Sequence, residues 1–219
     1  MLRWPLKIIA TIIVLSVAVV LPWRWLAPPT TSFMVQDNVQ RRELVSYQWL
    51  DMAQISPHLA IAVIASEDQK FPHHFGFDIS QIQSVLDGSG APVRGASTIT
   101  QQLAKNLYLW PGKSYLRKGL EAWLALWIEL LWPKQRILEV YLNVVEFGPA
   151  VYGAGAASQL FFQHPARHIT PTEAGLLAAV LPSPKRMSAA RPSAYVKQRG
   201  EEIQQAVRQL GGVGYLSKM

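Results

Sequence analysis

An uncharged run from Ile8 to Leu21 (IIATIIVLSVAVVL) limits what this chain can become more than any other feature. With Leu6 before it and PWRWLA after it, the run approaches the ~20 residues that cross a hydrocarbon core. Trp4, Trp23 and Trp25 flank it, where indole rings favour the membrane interface. No small-x-small cleavage site follows, so a retained anchor is expected rather than a signal peptide. Arg3 and Lys7 favour a cytoplasmic N-terminus, with Arg24 opposing them on the far side. The expected layout is an anchor over residues 1–27, a linker over 28–42 and a globular domain over 43–219 outside the cytoplasm.

The net charge of +7 points to an acidic partner, such as nucleic acid, an anionic membrane surface or a phosphate-bearing substrate. No dense Lys/Arg run with interleaved aromatics is present, which disfavours a nucleic-acid groove. The absence of cysteine excludes disulfides, thiolate chemistry and cysteine zinc sites.

Helix signals dominate the globular part. Ser56 and Pro57 open an apolar helix that runs into Glu67 and Asp68. A short helix is expected between Asp78 and Gly88. Thr98 and Gln101 form a capping box ahead of TITQQLAKNLYL. A long helix spans Ser114 to Trp132 and stops at Pro133, and KQRILEVYLNVVEFG starts another. Thr170 and Glu173 box a further helix ending at Pro182, and a more polar one ends at Gly211 and Gly212. A short extended piece fits Glu43 to Trp49, but nothing supports a sheet. The expected fold class is mainly α.

Two carboxylates stand out. Glu67 ends an apolar helix, either as a solvated terminus or as a carboxylate on a rigid support whose proton affinity can be tuned. Glu121 shares a narrow stripe with Arg117 and Ala125 on a helix that is apolar almost all round, so the pair is either an internal ion pair or the floor of a cleft. Between them, Ser97 and Thr98 enter a helix N-terminus, which suits an anion or simply a cap, and Gln101, Gln102, Lys105 and Asn106 follow. Adjacent His73 and His74 lack metal-site spacing, so His74 reads as a brace for the Glu67 loop and Phe71 and Phe75 as core plugs. Tyr141 and Asn143 read as structural, and Glu146 stays open.

The blocks EDQKFPHHFGFD, GASTITQQLAKN, RKGLEAWLALWIE, KQRILEVYLNVVEFG and TEAGLLAAVLPSP occur in this order. Together they resemble the five blocks of the family 51 glycosyltransferases, the peptidoglycan glycosyltransferase domains also found at the front of class A penicillin-binding proteins. No SxxK, SxN and KTG set is assembled, so the resemblance is to the monofunctional branch. It implies a lysozyme-like α-helical domain on one transmembrane helix, in the inner membrane with the catalytic part periplasmic. It also implies lipid II and the growing glycan strand as substrates, with cell-wall or division proteins as further partners. Carried over by position, Glu67 and Glu121 are the catalytic carboxylates, Glu67 as general base. Asp68, Phe71 and His74 shape the acceptor site. Thr98, Gln102, Lys105, Arg117 and Lys118 bind substrate, the cations on its pyrophosphate. Glu121 aids the leaving group, optionally through a divalent cation (Mg or Mn). Ser183 and Lys185 in the last block receive no role. The rivals are a lysozyme-like hydrolase or lytic transglycosylase, which has little need of Lys105, Arg117 and Lys118, and a non-catalytic membrane scaffold.

Overall fold

The structure, a computed structural model, describes residues 3–79, 83, 97–112 and 114–219. Most of the helix expected between Asp78 and Gly88, and the Gly95 and Ala96 start of the second block, lie outside the described residues. The first helix, α1 (Arg3–Val20), runs on through a 3-10 turn, Leu21–Arg24. Among the described residues it is the one helix long and apolar enough to cross a membrane. It is also fastened to the domain it precedes. Trp123 donates from Nε1 to Ser16 Oγ (2.9 Å) and Trp132 to the Val20 carbonyl (3.1 Å). Arg136 reaches the carbonyls of Trp23 (3.0 Å) and Leu26 (2.6 Å).

The stretch 28–42, expected as a linker, contains a second helix, α2 (Ser32–Arg41), capped by Thr31. Its mostly polar spacing hid it, although Met34 is buried in the core and Phe33 packs against it. Ser32 Oγ donates to the Leu109 carbonyl (2.6 Å), and Asp37 is buried. A short strand, β1 (Ser46–Tyr47), falls within the expected extended piece.

At the centre lies α3 (Pro57–Glu67), whose residues from Leu59 to Ala65 are all buried. Ser56 caps it and also donates to the Ile169 carbonyl (2.7 Å), which ties its start to the far end of the domain. Next come α4 (Ile99–Tyr108) and the long α5 (Tyr115–Leu131), followed by α6 (Lys134–Val144). On α5, Arg117, Glu121 and Ala125 face inward while Tyr115, Leu116 and Leu120 remain exposed. The inward stripe therefore stands as read from the sequence, but the apolar coat beside it is only partly covered.

A sheet, which the sequence did not suggest, closes the domain. Strand β2 (Glu146–Gly148) turns back into β3 (Val151–Tyr152), and β1 joins β3 in parallel to give the order β1-β3-β2. Strands of two or three residues are too short for alternation to be visible in a sequence. Next, α7 (Gly153–Phe162) is built of small residues that pack flush into the core. Two further helices, α8 (Pro171–Val180) and α9 (Ala194–Leu210), pack on α3, and a 3-10 segment ends the chain.

The β3–α7 junction shows how tight this region is. Gly153 sits at φ +79°, and a Cβ there would stand 2.3 Å from the Asn143 carbonyl oxygen. Asn143 is itself committed, exchanging bonds of 2.8 Å with both backbone groups of Leu50. Gly153→Ala combines left-handed strain with a backbone clash, so it should cost about 2 kcal/mol or more. A thermal melt in detergent showing an unchanged Tm would refute this account of the junction.

Candidate active site

Glu67 is the last residue of the buried helix α3. Gln102 Nε2 donates to its Oε2 (2.9 Å) and Ser66 Oγ to its Oε1 (3.1 Å). Burial raises its pKa above the ordinary carboxylate range, and the bonds from Gln102 and Ser66 oppose that shift. The orientation of Gln102 is not arbitrary. Its Oε1 accepts the Tyr141 hydroxyl (2.9 Å), which turns the amide nitrogen toward Glu67. Tyr141 is fully buried, and its phenol is held well above its usual pKa by burial and by the charges of Glu67 and Asp68. It therefore stays a donor. Tyr141 is structural, as its sequence context suggested, yet it acts directly on the site.

Asp68 faces the other way. Its Oδ1 meets His74 Nε2 at 2.8 Å, and its Oδ2 accepts the Ile99 N–H at 2.9 Å, in the first turn of α4. His74 is thus the brace anticipated for this loop. Phe71 is fully buried beneath the Lys134 ammonium, 4.4 Å from the ring centroid. Thr98 caps α4: its Oγ1 accepts from Gln101 N (3.2 Å) and donates to the Gly76 carbonyl (2.7 Å). Phe75 is more than half exposed (52%), so it is not the core plug expected. With Gly76 at φ +78° and next in the chain, the loop turns there and leaves that ring outside.

The second carboxylate anchors a cation cluster. Arg117 Nη1 lies 2.6 Å from Glu121 Oε2, and Lys118 Nζ 2.5 Å from Oε1. Lys118 also donates to Ser97 Oγ (2.9 Å), and Arg117 Nε to the Gly112 carbonyl (2.8 Å). Glu121 is buried, so breaking this pairing would strand a charge away from water. Lys105 joins the two halves. Burial, together with Arg117 and Lys118, pulls its pKa down, while Glu121 and Glu67 both push it up. Its ammonium stands 5.5 Å from the centre of the Phe33 ring and, among the described residues, makes no salt bridge. Gln102, which bonds Glu67, and Lys105 stand one turn apart on α4.

Gln102 and Lys105 open onto a cleft of about 180 Å³, whose far wall carries Glu146, Tyr152 and Pro184. Glu146, left open by the sequence, is here a cleft residue. Lys185, given no role in the sequence, reaches Asp37 Oδ1 at 2.6 Å. Among the described residues no group of three or more His, Asp or Glu could hold a metal ion.

The distinguishing capacity of this arrangement is to take up a proton at Glu67 while holding an anion at Lys105, Arg117 and Lys118. Gln102→Ala removes a bond that stabilises the ionised form of Glu67. The Glu67 titration midpoint should therefore move upward, as read from the ¹³C-carboxyl resonance of labelled glutamate. A midpoint that moved down or stayed put would contradict the assigned geometry.

The chain is similar to known proteins over most of its length. A family model described as Transglycosylase matches residues 35–208. A Biosynthetic peptidoglycan transglycosylase of Xanthomonas campestris pv. campestris (strain B100) is 50% identical over 223 residues, covering 98% of this chain and 91% of the relative. Proteins of the same name from Stutzerimonas stutzeri (strain A1501) and Pseudomonas syringae pv. syringae (strain B728a) are 47% and 51% identical. They cover 97% and 92% of this chain, and 91% and 88% of their own lengths.

Proposed function

Because the chain belongs to the transglycosylase family, we propose that it polymerises lipid II into the glycan strands of the bacterial cell wall. Lipid II is a disaccharide-pentapeptide carried on undecaprenyl pyrophosphate. In this reading Glu67 takes the proton from the 4-hydroxyl of an incoming lipid II. That oxygen attacks the anomeric carbon of the growing strand, a β-1,4 bond forms with inversion, and the C–O bond to pyrophosphate breaks. Undecaprenyl pyrophosphate departs with the bonding electrons. Lys105, Arg117 and Lys118 hold the diphosphate as its negative charge grows, in a partly buried setting where such stabilisation is strongest.

The observation that carries this reading is that Gln102, hydrogen-bonded to Glu67, and Lys105 line one cleft. A proton acceptor and a cationic pocket then border the same space. A hydrolase acting on neutral glycan has little use for those cations. Glu121 serves as the holder of Arg117 and Lys118, since both of its oxygens are engaged. A divalent ion on Glu121 does not fit this donor set, because it would have to displace two cations and then face them. No step is assigned to a metal.

Asp68, Phe71 and Thr98 act as positioning residues, since their polar atoms or rings are engaged within the protein, and His74 positions Asp68 through Nε2 while its buried Nδ1 has no hydrogen-bond partner. Helix α1 crosses the inner membrane once and leaves the catalytic domain on the periplasmic side. Exposed Tyr115, Leu116 and Leu120 begin α5, with Leu120 one turn before Trp123, which bonds to α1. That face rests in the outer part of the bilayer, where the polyprenyl tail of the substrate also lies.

Full-length protein incubated with labelled lipid II in detergent should yield polymer resolvable by size. Glu67→Gln should reduce the rate by about 100-fold or more. Undiminished polymer from the variant would remove the base assignment, and no polymer from the wild type with any divalent ion would remove the function.

A further inference from the structure

Glu146 begins β2, on the wall of the cleft opposite Gln102 and Lys105. Its Oε1 is buried and has no hydrogen-bond partner. The nearest cation, Lys185, stands 3.8 Å away, while its ammonium lies 2.6 Å from Asp37 Oδ1. Asp37 is committed on its other oxygen as well, accepting the Tyr152 hydroxyl at 2.9 Å, with Arg41 at 4.0 Å. An oxygen buried without a partner costs stability and is rarely retained unless something fills its need. Here the residue that carries it lines the same cleft as Gln102 and Lys105.

We propose that Glu146 is a substrate-binding residue, its carboxyl hydrogen-bonding a hydroxyl or amide group on the sugar-peptide part of the lipid-linked substrate. This rests on the lipid II reading above. Lys185 and Asp37 act as positioning residues that hold the Glu146 carboxyl against the cleft.

The charge of Glu146 then matters for an anionic substrate. Its pKa is raised to about 7, first by burial, with Asp37 adding to the shift and Lys185 and Arg41 opposing it. The groups around it are Asp37 and Arg41 on α2, Tyr152 on β3, Lys185 after α8 and, across the cleft, Lys105 on α4. Below that midpoint the neutral carboxyl can donate or accept and leaves the field of Lys105 to the diphosphate. Above it, a carboxylate in the same cleft repels the diphosphate. KM for lipid II should therefore rise as pH passes upward through the midpoint. The stability sign follows from the same shift. The folded state keeps the proton longer than the unfolded one, so Glu146 lowers stability progressively from the ordinary carboxylate range up to about 7.

The test uses full-length protein with labelled lipid II, one pH unit below and one above the midpoint, with Tm recorded for every variant. In the wild type, KM should rise several-fold between the two conditions. Glu146→Gln should keep the low-pH KM at both, and its Tm relative to wild type should improve toward high pH. Glu146→Ala should raise KM about tenfold at the lower pH, as expected for a lost hydrogen bond of roughly 1.4 kcal/mol, with kcat within about twofold. Glu67 titrates in all three proteins, so the variant-to-wild-type ratio isolates Glu146. An alanine variant with wild-type KM, or a glutamine variant that keeps the wild-type pH dependence, would overturn the proposal while the polymerase reading stands. If the alanine variant does not fold, the glutamine profile alone decides. A wild type that makes no polymer would overturn both.

Discussion

The carboxylate of Asp68 accepts the Ile99 N–H through one oxygen and meets the His74 ring through the other, so the end of α3 and the start of α4 share a buried anion. An anion at a helix N-terminus is favoured by the free N–H groups and dipole there. The site depends on that junction. It sets Glu67, one residue earlier, against Gln102, one turn into α4, and carries Lys105 a further turn along the same face. Tyr141 completes the arrangement from α6 by fixing which end of the Gln102 amide is presented. The two carboxylates adjacent in sequence therefore have opposite fates. Asp68 is consumed in holding helices together, and Glu67 is left with a tunable proton affinity.

The second acid shows a different use of the same chemistry. Glu121 has one cation on each oxygen. Its burial would be costly without them, and their spacing would be undefined without it. Lys105, Arg117 and Lys118 outnumber the two glutamates, an excess of positive charge that suits an anion.

Local signals in the sequence account for much of this. The Ser56 cap, the Thr98–Gln101 box, the Pro133 stop and the unbroken apolar run before Glu67 each report on a few neighbouring residues, and the helices they mark are present. The inward stripe of Arg117, Glu121 and Ala125 was also legible, because i,i+4 spacing is a property of one helix. The misses are long-range. The sheet is built from strands of two or three residues, and α2 places Met34 and Phe33 on the core while its polar atoms reach Leu109 and Tyr152. The Asp37–Lys185 pair joins positions 148 apart in sequence, and no periodicity reports on that. Phe75 was misplaced because the turn at Gly76 reverses the chain just after it.

The hydrogen bond from Trp123 to Ser16 has a mechanical implication. Trp123 lies two residues after Glu121, on the helix that carries the cation cluster, and Ser16 lies within the apolar anchor. Anchor and reactive helix are thus coupled like a lever and its fulcrum. If the anchor spans the bilayer, its tilt sets how high the cation cluster rides above the lipid headgroups, and lipid thickness becomes a variable of turnover.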